Sequence, residues 1–466
     1  MTADAADLTI DRAAAEIARG TLSPVELTAA VLDRCARLDP ELGSFTLVRA
    51  EEAMAEARRA ERGLASGEYF GPLHGIPLVL KDLYDLAGHP RTASSATRKG
   101  HLARRDATVS RRLREAGAVL IGKTHCDEYA YGSTTPATRN PWNPDRVPGG
   151  SSGGCGAAIA ARMGLGGMGT DTGGSVRIPA ALCGIAALKP TYGLVPRTGV
   201  VPLSSSLDHA GPMARTTTDL AHLLSTVAGH DPGDPASVAR PAGEYLDGPP
   251  VRTIGVPRSY FFDRCHPEVA AGVRAAVKVF EDLGCDAREV EIPYAAEAYD
   301  AGLVIIMAEA SSCLGDVLRD HGGLLTERVR TALAAGEKVR AVDYLEAQRV
   351  RTRARLAWQH ALDEVDVIAF PTVAAPAAEF GSDSVSYPDG TTESVIDAYA
   401  RFPLAANLTG LPALSVPCGF TTDGLPIGLQ LAGRAFGEAQ LLLAGRQFEE
   451  ATDWADRIPI AAGGTA

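Results

Sequence analysis

The chain has 466 residues, 45% of them hydrophobic and 22% charged, and a formal net charge of −12. This composition is typical of a globular protein with a large core. The negative charge disfavours binding to nucleic acid or to an anionic membrane, because both attract basic surfaces. The eight cysteines include no CxxC pair and no Cys/His ligand cluster, so we expect a reduced compartment and no structural zinc.

The amino terminus, MTADAADLTID, lacks the basic start and apolar stretch of a signal peptide, and the chain contains no run of eighteen apolar residues. We therefore predict a cytoplasmic protein. Residues 1–70 are predicted to be a helical region that packs on the core. Ser23, Pro24 and Glu26 have the types and spacing of a helix N-cap, a first helical position and a capping box. A second helix is predicted over residues 50–64.

Residues 71–227 are predicted to form the core of the protein. Short apolar runs that end in Gly, Lys or Asp, such as GIPLVLKD and GAVLIGKT, alternate with helical stretches. This pattern indicates buried strands in an α/β sheet. Residues 149–185 are far richer in glycine than an average segment, which indicates that the backbone makes close approaches there.

Residues 228–365 are predicted to be a smaller helical and α/β insert that begins with a loop over 228–250. It continues with a strand at RTIGV, a helix over 267–283, a strand at AREVEIP, and a long helix from about Asp343. That last helix carries one buried stripe, formed by Ala347, Val350, Ala354, Ala357 and Ala361. The acidic total favours a solvated helix face over an RNA-binding surface for its arginines, at positions 349, 351, 353 and 355.

Residues 366–466 are predicted to return to the core. VDVIAFPT, ALSVPCGF and LPIGLQLAG have the pattern of strands, and Asp423-Gly424 between the last two is a hairpin signal. A closing helix is predicted from about Glu438.

The stretch RVPGGSSGGCG, residues 146–156, has three interpretations. A phosphate-binding loop would need a Lys-Ser/Thr ending, which is missing. An esterase elbow, G-x-S-x-G with Ser152 at its centre, would need a preceding strand and a histidine late in the chain, whereas the preceding segment is turn-like. The third interpretation pairs this stretch with a second glycine-rich segment, GMGTDTGGSVRIPAALCG.

In that second segment Ser175 follows Thr172, Gly173 and Gly174, whose N–H groups can converge on one point, as an oxyanion requires. Ser175 is therefore a candidate nucleophile. It needs a base, and neither glycine-rich segment contains histidine. A desolvated lysine can serve instead, and both Lys81 and Lys123 lie at the ends of apolar strands. An amine exposed to solvent at either strand end is the competing interpretation.

The sequence resembles the amidase signature family. The segments that carry the resemblance occur in family order: GPLHGIPLVLKD, GKTHCDEYAYGS, NPWNPDRVPGGSSGG, GTDTGGSVRIPAALCGIAALKPTYGLVP, SLDHAGPMAR, NLTGLPALSVPCGF and GLPIGLQLAG. The resemblance implies an α/β fold with a large mixed β-sheet covered on both faces by helices. It also implies Lys81 as the base, Ser151 as a bridging serine and Ser175 as the acyl-forming nucleophile, so that Lys123 is no longer a candidate.

The resemblance further implies a cis peptide bond between Gly150 and Ser151. Ser152 is expected to take part in the lysine network or to cap a helix, and Asp171 and Arg177 are expected to form an ion pair that fixes the loop. Tyr129 and Tyr131 are candidate residues for the acyl pocket, with buried aromatic packing as the alternative. The insert over residues 228–365 and loops near residues 125–140 are expected to line the substrate pocket. No metal and no cofactor are expected.

The resemblance implies a serine amidohydrolase that cleaves a small or medium linear amide through an acyl-enzyme, with carbamates (urethanes) and esters as further substrates. One alternative is the glutaminase subunit of a tRNA-dependent amidotransferase, although residues 324–350 lack that subunit's tandem-arginine pattern. The other is a scaffold that binds ligands without turnover. The expected partner is a small amide, with no nucleic acid and no membrane, and a homodimer is the expected assembly.

Overall fold

The computed structural model describes residues 4–240 and 243–464. Within them, two short strands, β10 (Ser384–Ser386) and β11 (Thr392–Ser394), pair separately. One large sheet contains eleven strands. These are β1 (Phe45–Val48), β2 (Pro77–Lys81), β3 (Val119–Thr124), β4 (Gly166–Asp171), β5 (Ala186–Lys189), β6 (His209–Ala214), β7 (Thr253–Pro257), β8 (Asp286–Val290), β9 (Val367–Pro371), β12 (Ala413–Phe420) and β13 (Pro426–Ala432).

The strand order in this sheet is β1-β3-β2-β4-β6-β5-β12-β13-β9-β7-β8. Strand β2 is parallel to β3 and β4, and β7 is parallel to β8 and β9. The central pairs from β4 to β9 are antiparallel. The sheet is therefore mixed, as predicted, and the two strands of the predicted insert, β7 and β8, extend its edge.

Fourteen α-helices accompany the strands in the described residues. They are α1 (Ile10–Ala18), α2 (Pro24–Leu42), α3 (Ala50–Ala65), α4 (Thr108–Glu115), α5 (Gly153–Ala160), α6 (Arg177–Cys183), α7 (Thr217–Val227), α8 (Pro267–Asp282), α9 (Ala295–His321), α10 (Glu327–Gly336), α11 (Ala341–Glu364), α12 (Val395–Ala400), α13 (Leu404–Thr409) and α14 (Glu438–Glu450).

Both faces of the sheet are covered by apolar cores. Along β9, Val367 and Ala369 pack in the core that includes α1, α2, α7 and α14, whereas Ile368 and Phe370 pack in a second core with Trp358 of α11. Successive side chains of a strand point to opposite faces. The prediction of a sheet with helices on both sides is therefore confirmed.

Local sequence signals located several of the elements. Ser23 caps α2, because its Oγ accepts hydrogen bonds from the N–H groups of Val25 and Glu26, and Pro24 is the first helical residue. The hairpin between β12 and β13 is also confirmed. The apolar stripe of α11 is confirmed at Ala347, Ala354 and Ala361, which are buried.

Sequence analysis missed α9, whose segment LVIIMA is apolar on all sides and so lacks amphipathic periodicity. By length and composition, residues Ala295–Leu324 could cross a membrane, with a mean hydropathy of 1.6 over an 18-residue window that is 39% buried. Length and composition alone do not distinguish such a helix from an apolar helix of a globular protein. In this protein α9 packs against α10 and α11.

The ends of β2 and β4 bring the candidate residues together. The two strands are parallel neighbours, with Leu80 opposite Met168. Lys81 is the last residue of β2, and Asp171 is the last residue of β4. Since the carboxyl ends of parallel neighbours meet at one edge of a sheet, the lysine lies beside the second glycine-rich segment.

Candidate active site

Lys81 is completely buried and is surrounded by hydroxyl groups. Its Nζ lies 2.8 Å from Ser151 Oγ, 2.9 Å from Ser152 Oγ and 2.8 Å from Thr170 Oγ1. Burial lowers the pKa of Lys81, because the charged amine loses its hydration. A lysine in this setting is a candidate proton acceptor.

Two other lysines are completely buried, and their partners differ from those of Lys81. Lys123 forms an ion pair of 2.8 Å with Asp82 and donates to the carbonyl of Tyr84. Lys189 Nζ donates to the carbonyl of Pro190 and lies 3.1 Å from His209 Nε2. Of these three lysines, Lys81 alone is held by serine hydroxyls.

The turn that carries Ser151 is built around glycine. The peptide bond between Gly150 and Ser151 is cis, as the resemblance implied. A Cβ atom at position 150 would lie 2.6 Å from the backbone nitrogen of Thr134 and would clash with the carboxylate of Asp127. The N–H of Asp127 donates to the carbonyl of Ser151 at 3.2 Å, and this hydrogen bond holds the turn in place.

Ser175 lies on the adjoining loop and is 5% exposed, and the neighbouring Gly173 is half-buried. The carbonyl of Ser175 accepts a hydrogen bond from the N–H of Ser152 at 3.1 Å, which joins the two glycine-rich segments. Across residues 4–240 and 243–464, the hydroxyl of Ser175 has no hydrogen-bond partner, and in particular none with the hydroxyl of Ser151. It is therefore available to a ligand that enters beside Gly173.

Asp171 and Arg177 form the predicted ion pair, and both are completely buried. Arg177 donates to Asp171 Oδ1 at 2.9 Å and to Oδ2 at 3.0 Å. The other guanidinium donors go to the Pro403 carbonyl, Gln430 Oε1 and Asn407 Oδ1. Although burial acts to raise it, the pKa of Asp171 is held well below its usual range by the Arg177 charge and by hydrogen bonds from Arg177 and Asn407.

Asp171 also determines which N–H groups of the loop are free. Its Oδ1 accepts from the N–H of Gly174 at 2.8 Å, and its Oδ2 accepts from the N–H of Val176 at 3.2 Å. The N–H of Gly174, expected to face an oxyanion, is therefore already donated to a carboxylate. Within the described part of the chain, the N–H groups of Gly173 and Ser175 have no protein acceptor.

Thr172, the first of the predicted anion-binding residues, is held through its side chain. Its hydroxyl donates to Asp208 Oδ1 at 2.6 Å, and Asp208 Oδ2 accepts from the N–H groups of Leu203 and Ser204. Thr172 thereby connects the glycine loop to the loop before β6.

Tyr129 and Tyr131 pack in an apolar cluster with residues of α9 and α10. Tyr129 is 1% exposed, and its hydroxyl is 2.6 Å from Thr97 Oγ1. These contacts favour the packing alternative for Tyr129, while Tyr131 is half-buried.

Sequence reasoning missed several residues that complete this site. Thr170, a hydroxyl partner of Lys81, lies two residues before residues 172–175, which we call the anion loop. The sequence pattern singled out this segment for its glycines and Ser175, and not for Thr170. Asn407 donates to Asp171 Oδ1 at 2.8 Å, and Gln430 binds Arg177. Both lie in carboxy-terminal segments that carry the family resemblance. Because they are far from Asp171 and Arg177 in the chain, no local pattern predicted that they contact this ion pair. In the described ranges no group of three or more His, Cys, Asp or Glu side chains could hold a metal ion.

Comparisons with known proteins show the family of the chain. The family model described as Amidase matches residues 26–442. An amidase from Pseudomonas putida is 43% identical over 457 residues, covering 97% of this chain and 97% of that protein. A glutamyl-tRNA(Gln) amidotransferase subunit from Roseiflexus sp. is 42% identical over 485 residues, covering 97% of this chain and 98% of that protein.

A solved structure gives the same result for the fold. It is described as a vestigial protein complex that reveals the evolutionary origins of an s-triazine catabolic enzyme. It superposes with a TM-score of 0.90 at 32% identity, covering 95% of this chain and 98% of that chain. The chain belongs to the amidase signature family, a class of hydrolases with a large mixed sheet, and it is an enzyme acting on carbon–nitrogen bonds.

Proposed function

We propose that the protein is a serine amidohydrolase in which Ser175 attacks the amide carbonyl, Ser151 relays the proton and Lys81 is the base. The observation that carries the proposal is the contact set of Lys81, namely three hydroxyl groups and, among the residues that the structure describes, no carboxylate. Unlike the carboxylate beside Lys123, these hydroxyls do not hold the amine as a cation. A buried amine without a counter-ion favours its neutral form, which can accept a proton.

The hydrogen-bond donors and acceptors around Lys81 determine the direction of the proton relay. A neutral amine donates two hydrogen bonds and accepts one. Ser152 Oγ lies 3.2 Å from the carbonyl of Thr170, to which it donates, so it accepts from Lys81. If Thr170 also accepts from Lys81, the lone pair of the amine receives the hydroxyl proton of Ser151. Ser151 can then accept the proton of Ser175 when a bound substrate draws the two hydroxyls together.

Charge on the substrate oxygen is stabilised by backbone groups in this proposal. The unpaired N–H groups of Gly173 and Ser175 point to an oxyanion site beside the nucleophile. The carboxylate of Asp171 accepts the N–H groups of Gly174 and Val176 and so stabilises the conformation of the loop. The proton returns through Ser151 to the leaving nitrogen, and water then attacks the acyl-enzyme by the same route.

The substrate is proposed to be a small or medium linear amide, with carbamates and esters reacting by the same acyl-transfer chemistry. A second candidate function is the glutaminase subunit of an amidotransferase, favoured by the 42% identity to the glutamyl-tRNA(Gln) amidotransferase subunit of Roseiflexus sp.. The two differ in whether glutamine is hydrolysed and whether partner subunits are required.

An activity panel tests the proposal. The purified chain is assayed with primary amides, an anilide, a carbamate, a p-nitrophenyl ester and glutamine, beside Ser175→Ala and Ser152→Ala. We expect amide hydrolysis that Ser175→Ala abolishes. Ammonia from glutamine only in the presence of partner subunits would favour the glutaminase. Activity lost in Ser152→Ala but retained in Ser175→Ala would contradict the assignment of the nucleophile.

The pH dependence of kcat/KM is expected to report the protonation of Lys81. Because burial lowers the pKa of Lys81, the neutral amine should persist below the ordinary lysine pKa of 10.5. Activity should therefore fall as pH decreases through this lowered pKa and should already be on its plateau below pH 10.5. Profiles measured between pH 5 and 11 check this, and a rise that is complete only above pH 10.5 would contradict a neutral base.

Thr170→Val should shift the fall of kcat/KM at low pH, the acid limb of the pH profile, to lower pH. An ammonium at position 81 uses all three hydroxyl acceptors, whereas the neutral amine needs only two, so losing one acceptor destabilises the charged form more. We also expect kcat to fall about tenfold because the amine is less well oriented. The pH profile of the variant separates this effect from simple destabilisation, which would lower activity without moving the limb.

A further inference from the structure

The outer side of the anion loop faces an apolar wall. A Cβ atom placed on Gly173 would lie 3.5 Å from Leu404 Cδ1 and 3.6 Å from Ile306 Cδ1. Apart from the adjoining residues, no other heavy atom of residues 4–240 and 243–464 would lie within 4 Å of it. Ile306, on α9, is half-buried, and Leu404, the first residue of α13, is completely buried. Gly173 thus faces two methyl groups, and the half-buried Ile306, rather than the completely buried Leu404, has surface that a ligand at Gly173 could contact.

The segments that form this wall contain no charge. Residues 301–308 of α9 read AGLVIIMA, and residues 403–408 read PLAANL. The nearby Arg177 has all five donors engaged with protein acceptors. Arg351 of α11 donates to the Leu408 carbonyl and to both oxygens of Ser206.

The position of the wall is fixed by a buried carboxylate. Glu309 lies one helical turn after Ile306 on α9 and accepts from Ser204 Oγ at 2.6 Å, from the Ser206 N–H at 2.9 Å and from Tyr344 Oη at 2.8 Å. This ties α9 to the loop whose Asp208 holds Thr172. On the inner side, a Cβ on Gly302 would lie 2.7 Å from Leu404 Cδ2, so α9 packs directly on α13.

We infer that Ile306 contacts the acyl group of the substrate, so that the enzyme selects amides of uncharged alkyl or aryl carboxylic acids and discriminates against glutamine. The inference rests on the proposed attack by Ser175. A glutamine side chain would bring an α-carboxylate and an α-ammonium toward an uncharged wall, and a charge buried without a partner is strongly disfavoured. An alkyl chain gains from the same burial.

Chain-length dependence tests the inference. In the wild type, kcat/KM should rise about threefold to fourfold per methylene from acetamide through butanamide to hexanamide, and glutamine should react at least about 100-fold more slowly than hexanamide. Ile306→Ala should lower kcat/KM for hexanamide about tenfold or more and leave acetamide within about twofold. The kcat/KM of Ile306→Val for hexanamide should lie between the values of the wild type and Ile306→Ala. This variant replaces the alanine variant if the latter has a low unfolding midpoint.

Ile396→Ala is the matched control, since Ile396 is 45% exposed on α12 and should affect neither substrate. Equal kcat/KM for acetamide and hexanamide, hydrolysis of glutamine as fast as hexanamide, or an equal loss on both amides in Ile306→Ala would overturn the inference. If one of these results is found and Ser175→Ala still abolishes hydrolysis, the amidase mechanism is retained and only the inferred contact between the apolar wall and the acyl group is rejected. If no amide is hydrolysed in a Ser175-dependent way, both are rejected.

Discussion

Replacing Lys81 by methionine is expected to lower kcat/KM by about 10⁴ or more while leaving the protein folded. The methionine side chain has nearly the length of lysine but cannot accept a proton from Ser151. Because the partners of Lys81 in the described part of the chain are hydroxyls rather than carboxylates, its replacement leaves no buried carboxylate without a cation. Steady-state kinetics and the unfolding midpoint of the variant check both parts of this expectation.

Lys123→Met is the matched control for that experiment. It makes the same change in a lysine that is equally buried but paired with Asp82, and it leaves this carboxylate buried without a cation. We expect a clear loss of stability, because breaking a buried ion pair costs about 3–5 kcal/mol. Retention of more than a tenth of the activity in Lys81→Met would contradict the role of Lys81 as base.

Asp171→Asn is expected to lower the free energy of unfolding by about 3–5 kcal/mol. The variant keeps the shape of the side chain but leaves the guanidinium of Arg177 without its counter-ion at a completely buried position. It also weakens the acceptors that hold Gly174 and Val176, so activity should fall as well. Chemical denaturation followed by circular dichroism, together with kinetics, measures both effects.

The pH dependence of this contribution has a defined sign. The folded-state pKa of Asp171 is below the ordinary value of 3.8, so the stabilisation is present above that value and is lost as pH falls below it. Asp343→Asn is the matched control, because Asp343 pairs with Arg340 at 2.7 Å on the exposed surface of α11. An exposed pair contributes about 0–1 kcal/mol. Similar losses in the two variants would contradict a structural role for the buried pair.

Sequence patterns located most strands because buried strands are short apolar runs, and they located α2 because its cap is a local signal. They did not find α9, since its central segment LVIIMA is apolar throughout and carries no amphipathic periodicity. The resulting gap matters for function. Ile306 and Glu309 both lie on this helix, so the insert was expected to line the substrate pocket but the residues that form the wall of the proposed acyl site were not identified.

The candidate base shows a different limit. Local reasoning left Lys81 and Lys123 equivalent, because both end apolar strands, and only the family resemblance separated them. The structure gives a physical reason for the difference. Asp82 follows Lys81 in the chain, yet its carboxylate pairs with Lys123 on the neighbouring strand. Contacts between elements that are distant in the chain, such as those of Asn407 and Gln430 with the ion pair, cannot be predicted from local residue spacing.

Identification of the serine that becomes acylated tests the central claim most directly. The protein is treated with an alkyl fluorophosphonate, a reagent that forms a stable adduct with an activated serine, and the modified peptide is located by mass spectrometry. We expect one adduct per chain on Ser175, no adduct in Ser175→Ala, and a strongly reduced rate in Lys81→Met. An adduct on Ser151 or Ser152, or undiminished labelling of Ser175→Ala, would contradict the account.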